Sequence, residues 1–309
     1  MWFHDGWKAA LSEIQTQTMN KNHSIFLATA ALLLPASICH AALVTDTFSD
    51  GDRTTNAAWY YAVGSGAPTS VNTNGTQQNL YVNASSRSNA QVWTTFSSTT
   101  IAIGQTLRVS MNFDVSGGSG NSGDAPLRVG FYNVASPVAA DQDGGITNAN
   151  WSEATGYAAF VSAAAGSTLT GSTTNFRQRT DANNTLWAGG AHTGITSNVS
   201  GTVPAVLGGD ADLTTSPLRY TLGYTMTRTG ADSMDLFYSL SDANGQIHSI
   251  SGSAASGIES TFNTFSFFTG AAAAEDFAID NVTVELVPEP GVALLGAAAG
   301  MLLLQLRKR

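Results

Sequence analysis

The sequence predicts an all-β chain folded as an antiparallel β-sandwich, and three observations lead there. Its central stretch repeatedly alternates apolar and polar side chains, as in Leu107-Arg108-Val109-Ser110-Met111-Asn112-Phe113-Asp114-Val115, the pattern of a strand with one face in a core. Between such runs lie clusters of Gly, Ser, Asn, Thr and Asp, the residues that make turns. No central segment sustains a helical apolar period, so helix is expected to be scarce, and many short strands joined by such turns form a sandwich or barrel.

Taken in order, residues 1–18 have the pattern of neither a signal nor a domain. From Met19, read as the true start, a polar and mildly cationic Asn20-Lys21-Asn22-His23 leads into apolar Ser24 to Leu34, a break at Pro35 and the small-residue site Cys39-His40-Ala41. That is the layout of a secretory signal peptide cleaved after Ala41. Residues 1–41 are therefore assigned to leader and signal, and 42–286 to the sandwich. Candidate strands are Leu80 to Val82, Ala90 to Phe96, Leu107 to Val115, Leu127 to Val134, Tyr157 to Ser162, Tyr220 to Thr227, Met234 to Leu240, Phe262 to Phe268 and Phe277 to Leu286. A loop containing Gly230 and a turn at Asn244-Gly245 mark two hairpins. Residues 135–155 and 166–212 read as loop-rich.

The exported domain has no cysteine, because Cys39 leaves with the signal, so its stability comes from a core, a metal or both. Residues 42–287 carry 8 arginines, no lysine, 15 Asp and 4 Glu, a net charge near −11. Such a charge argues against nucleic acid and anionic membrane surfaces as partners and suits divalent cations.

The chain closes with VPEPGVALLGAAAGMLLLQLRKR over residues 287–309. The prolines of Pro288-Glu289-Pro290 disfavour helix at and before them, so a helix can begin only at 291. The apolar run 291–306 would be about 24 Å long, short for a bilayer core near 30 Å but spanning with snorkelling. Arg307, Lys308 and Arg309 then hold the cytoplasmic side, leaving the sandwich on the far side. The stretch resembles the PEP-CTERM sorting signal of bacterial exported proteins in all three parts. That resemblance implies an exosortase as partner, a membrane-anchored precursor cleaved near the motif, and release or attachment at the surface of a Gram-negative cell that makes extracellular polysaccharide or biofilm matrix.

The run from Thr221 to Gly245, with Phe262 to Gly270 and Phe277 to Leu286, resembles the meander and closing strands of concanavalin A-like jelly rolls. Glycanases of that fold carry a Glu-x-Asp-x-x-Glu run, and this sequence has none. His192 and His248 are far apart, outside any Gly-x-Ser-x-Gly or His-Glu-x-x-His motif, and read as solvated loop residues. No catalytic residue is assigned. The leading expectation is a non-catalytic surface or matrix protein that binds polysaccharide; the alternative is a divergent glycoside hydrolase or lyase. Trp59 and Trp93 read as core, and Trp151 and Trp187, in loop-rich stretches, as surface faces on which sugar rings stack. Finally, Asp46, Asp50 and Asp52 of Asp-Thr-Phe-Ser-Asp-Gly-Asp are expected to meet Asp280 and Asn281 of the closing strand and hold a structural Ca²⁺.

Overall fold

The computed structural model of the chain describes residues 41–63, 69–72, 78–83, 89–116, 127–143, 146–161, 174–202, 213, 217–270 and 276–288. The first half supplies β1 (Ala41–Asp46), β2 (Trp59–Val63), β3 (Thr69–Asn72), β4 (Asn79–Asn83), β5 (Asn89–Thr100), β6 (Thr106–Ser116), β7 (Leu127–Asn133) and β8 (Gln142–Asp143). The second half supplies β9 (Thr155–Val161), β10 (Asn175–Arg179), β11 (His192–Ile195), β12 (Ser197–Gly201), β13 (Tyr220–Arg228), β14 (Met234–Asp242), β15 (Gly245–Ala254), β16 (Thr261–Gly270) and β17 (Asp276–Val287). Two short 3-10 turns, Ala149–Glu153 and Gly189–Ala191, are the only helical elements among the described residues.

These strands form an antiparallel β-sandwich, the jelly-roll architecture expected. One nine-stranded sheet runs β12-β15-β14-β13-β6-β17-β4-β3, with β1 added beside β17; the other, eight-stranded, runs β11-β10-β9-β7-β16-β5-β2-β8. Among the described residues, only the two-residue pairing of β2 with β8 is parallel. Alternation places Leu107, Val109, Met111, Phe113 and Val115 of β6 in the core between the sheets, against Val129 and Phe131 of β7 and Phe265 and Phe267 of β16. Burying each such side chain contributes about 1.5–3 kcal/mol.

All nine candidate strands are present, and both hairpins form. Thr229 N–H bonds Ser233 O at 3.0 Å between β13 and β14, and Gly245, at φ +121°, turns β14 into β15 where a side chain would be strained. The reading of 166–212 as loop-rich missed three strands, since β10, β11 and β12 lie there. Their residues, Asn-Phe-Arg-Gln-Arg, His-Thr-Gly-Ile and Ser-Asn-Val-Ser-Gly, are polar because they serve toward the edges of the sheets.

A second core covers the opposite face of the eight-stranded sheet. Trp93, Tyr132, Ala158, Phe160 and Phe268 point away from the first core and pack with Val134, Val138, Trp151, Leu186 and Trp187. This is why β16 is buried from Phe262 to Thr269 without a break: both of its faces are covered. The nine-stranded sheet presents polar side chains on its outer face instead.

Candidate functional site

Among the described residues, the outer face of the nine-stranded sheet carries one large exposed aromatic. In β14, Met234, Leu236, Tyr238 and Leu240 point into the core, so Asp235, Phe237 and Ser239 point out, and Phe237 keeps 40 % of its surface exposed. Phe237 stands opposite Thr225 of β13 on one side and Ser251 of β15 on the other, with Asn198 of β12 beyond Ser251. One step along, Asp235 stands between Thr227 and Ser253, whose Oγ donates to Asp235 Oδ1 at 2.6 Å. Together these residues line a groove of about 480 Å³ across the strands. An apolar ring at its centre with hydroxyl, amide and carboxylate groups around it matches the two chemistries of a sugar ring, apolar on its faces and polar at its rim.

The sequence expectation of Trp151 and Trp187 as binding surfaces is corrected. Trp151 is 0 % exposed and Trp187 1 %, so neither can offer a face to a ligand. Trp151 meets Trp93 edge to face at 5.4 Å, while Trp187 stacks on His192 and donates from Nε1 to Ser266 Oγ at 3.2 Å. The loops that carry them close over the second core because Arg179 of β10 binds them from beneath. Its guanidinium, 1 % exposed, donates to the carbonyls of Trp151, Ala154, Asn183, Thr185 and Leu186 at 2.5–3.1 Å. Those five bonds use all five donors of an arginine. Burial also lowers the pKa of this guanidinium.

Trp59 and Trp93 lie in the core as expected, both at 0 % exposure. His192 and His248 are buried rather than solvated, which corrects their reading as loop residues. Burial pushes His192 down to about 3 and His248 down to about 4, so both are neutral at physiological pH. His192 Nδ1 bonds Ala188 O at 2.9 Å, and its Nε2 lies 3.3 Å from the Tyr132 hydroxyl.

The expected calcium site forms only in part. β1 does lie beside β17, with Asp46 opposite Val282, and the Asp46 charge helps raise Asp280. Burial is the larger cause, taking Asp280 to about 6, and it raises Asp46 as well. The oxygens, however, serve backbone and side-chain donors. Asp46 accepts from Phe48 N at 2.8 Å and Trp59 Nε1 at 3.1 Å, and Asp280 accepts from Asn281 N at 2.7 Å and Nδ2 at 2.8 Å. Asp50 and Asp52 turn into their own loop, accepting from Asp52 N and Thr54 N. No three His, Cys, Asp or Glu side chains among the described residues gather as a metal would require, so the set does not fit the 6–8 oxygens of Ca²⁺.

Pro288 is the last described residue. Glu289, Pro290, Arg307, Lys308 and Arg309, the run 291–306 and the signal sequence up to residue 40 lie outside the described residues.

Phe237 is the residue that sequence reasoning missed. Its signal was an aromatic in the polar phase of the otherwise regular alternation Met-Asp-Leu-Phe-Tyr-Ser-Leu-Ser-Asp.

No protein-family model matches the chain, and no curated protein matches it. Among solved structures, peanut lectin with a 9-residue peptide aligns over 80 % of this chain and 97 % of its own at TM-score 0.40 and 9 % identity. The metal-free carbohydrate recognition domain of Emp46p aligns over 79 % and 94 % at 0.43 and 10 %. A carbohydrate esterase of the Shiga toxin-encoding bacteriophage phi24B aligns over 81 % and 99 % at 0.40 and 12 %. At such scores these likenesses carry no statement about what this chain binds.

Proposed function

We propose that this protein is an exported, non-catalytic β-sandwich that binds polysaccharide through the groove centred on Phe237. The observation that carries the reading is that ring, exposed at the centre of a polar sheet face and flanked by Thr225, Asp235, Ser251 and Asn198. A non-catalytic role is supported by the groove's chemistry. Asp235 is its single carboxylate and already accepts from Ser253, whereas glycoside hydrolysis uses two carboxyl groups about 5–9.5 Å apart across the scissile bond. In this reading the signal sequence exports the sandwich, the apolar run 291–306 anchors the precursor in the inner membrane, and an exosortase cleaves near Pro288-Glu289-Pro290. The product is delivered to the cell surface or the extracellular matrix of a Gram-negative bacterium.

A polysaccharide array probed with the full chain in detergent tests the binding. The expected result is retention on at least one polysaccharide that is lost in Phe237→Ala, with no release of reducing ends. Retention indifferent to Phe237→Ala would overturn the reading.

A further inference from the structure

Resting on that glycan-binding reading, we infer that the groove takes an internal stretch of an uncharged, extended polysaccharide laid across the strands, and that it excludes polyanionic chains. The direction follows from register. Asn198, Ser251, Phe237 and Thr225 stand opposite one another on four successive strands, β12, β15, β14 and β13. At 4.7–4.9 Å between strands the row is about 14 Å long, so a ring seated on Phe237 leaves polar groups for further rings on either side.

Nothing in the register closes the row at its far end. Thr225 is followed by Arg108 of β6 and then Glu285 of β17. A second row runs beside it across the same strands, from Ser200 through Ser249, Ser239, Gly223 and Ser110 to Thr283. Its members are hydroxyls apart from Gly223, over which the Ser239 hydroxyl leans. A face of this kind needs no chain end to dock.

Charge decides the class of sugar. Asp235 is the only ionisable group among the described residues that line the groove, and the nearest described cation along the row, Arg108, is bound to Glu285 at 2.5 Å. A uronate or sulfate group there would meet a like charge with no cation among the groove's described lining residues, a repulsion of about 1 kcal/mol at 4 Å in water and about 4 kcal/mol near a protein surface. The hydroxyls of a neutral sugar instead donate to the remaining lone pairs of Asp235.

Affinity electrophoresis of the full chain in detergent tests this, using gels that contain a neutral β-glucan, a neutral galactomannan or alginate, a polyuronate. The expected result is Phe237-dependent retardation by a neutral polymer, none by alginate, and new alginate retardation in Asp235→Asn. Oligosaccharides from the retarding polymer should compete about tenfold better than its monosaccharide. Phe237-dependent retardation of the unaltered protein by alginate, or equal competition by the monosaccharide, would overturn the inference while leaving glycan binding in place. If none of the three polymers gives Phe237-dependent retardation the inference falls, and the glycan-binding reading falls with it where the array also shows no Phe237-dependent retention.

Discussion

Arg179 shows how one side chain decides what its neighbours can do. By holding five carbonyls it binds the two loops over the second core, and so it buries the tryptophans that sequence alone placed at the surface. Lysine has three donors, so Arg179→Lys strands at least two buried carbonyls and is expected to cost on the order of 3 kcal/mol in chemical denaturation. The aromatics separate in the same way. Trp151→Ala and Trp187→Ala should each lose about 3–5 kcal/mol of stability, the range for emptying a buried aromatic site. Phe237→Ala should stay within about 0.5 kcal/mol, as exposed sites do, and remove glycan retention. Denaturation midpoints and array binding, measured on the same three variants, check both halves. Why Trp151 looked exposed is plain: loop composition marks a segment without strand pattern, and says nothing of whether the segment lies over a sheet. A clue stood elsewhere, in Phe262 to Phe268, whose adjacent Phe267 and Phe268 put an aromatic in each phase of the strand and therefore call for cover on both faces.

Among the elements, β17 is the one that organises its sheet. Its first residues pair with β4 and its last with β1, the change falling at Asp280 and Asn281, where the register shifts and Asn281 adopts φ +48°. The buried carboxylates at that joint make stability depend on pH. Asp280 is raised from 3.8 to about 6, so its contribution is fully present below pH 3.8 and is lost as pH rises through 6. His192 and His248 are lowered from 6.5 to about 3 and about 4, so theirs is present above pH 6.5 and lost as pH falls. Between pH 6.5 and 4 the two trends oppose. Asp280→Asn removes one of them: the variant should be more stable than the unaltered protein at pH 8 and should fall steadily from pH 6.5 to 4, where the unaltered protein changes less. Denaturant midpoints across pH 4 to 8 would show it, and superimposable curves would refute it. The long alternating strands, β6, β13 and β14 among them, were legible because one face is wet. The strands toward the edges, such as β10 and β12, were not, since a strand with few core contacts has little reason to alternate.

For the whole molecule, the sandwich was readable from its periodicity, while the proposed binding face depended on which side of which sheet the loops cover. That choice is made by long-range packing and leaves no local pattern. The proposed route of export predicts that deleting residues 291–309 sends the protein into the medium without a membrane-bound precursor; fractionation followed by immunoblotting would detect an unchanged distribution and sink the idea. If the domain is tethered as proposed, its termini decide how it bears load. Ala41 lies opposite Leu286, so the chain enters and leaves the sandwich at the same end, on adjacent strands. A drag force on a domain held by its C-terminus therefore runs along β17, which β6 clasps on one flank and β4 and β1 on the other. Such a load shears many ladder bonds together instead of peeling them one at a time, and the strand that would connect the domain to its anchor is among the hardest in the molecule to pull out.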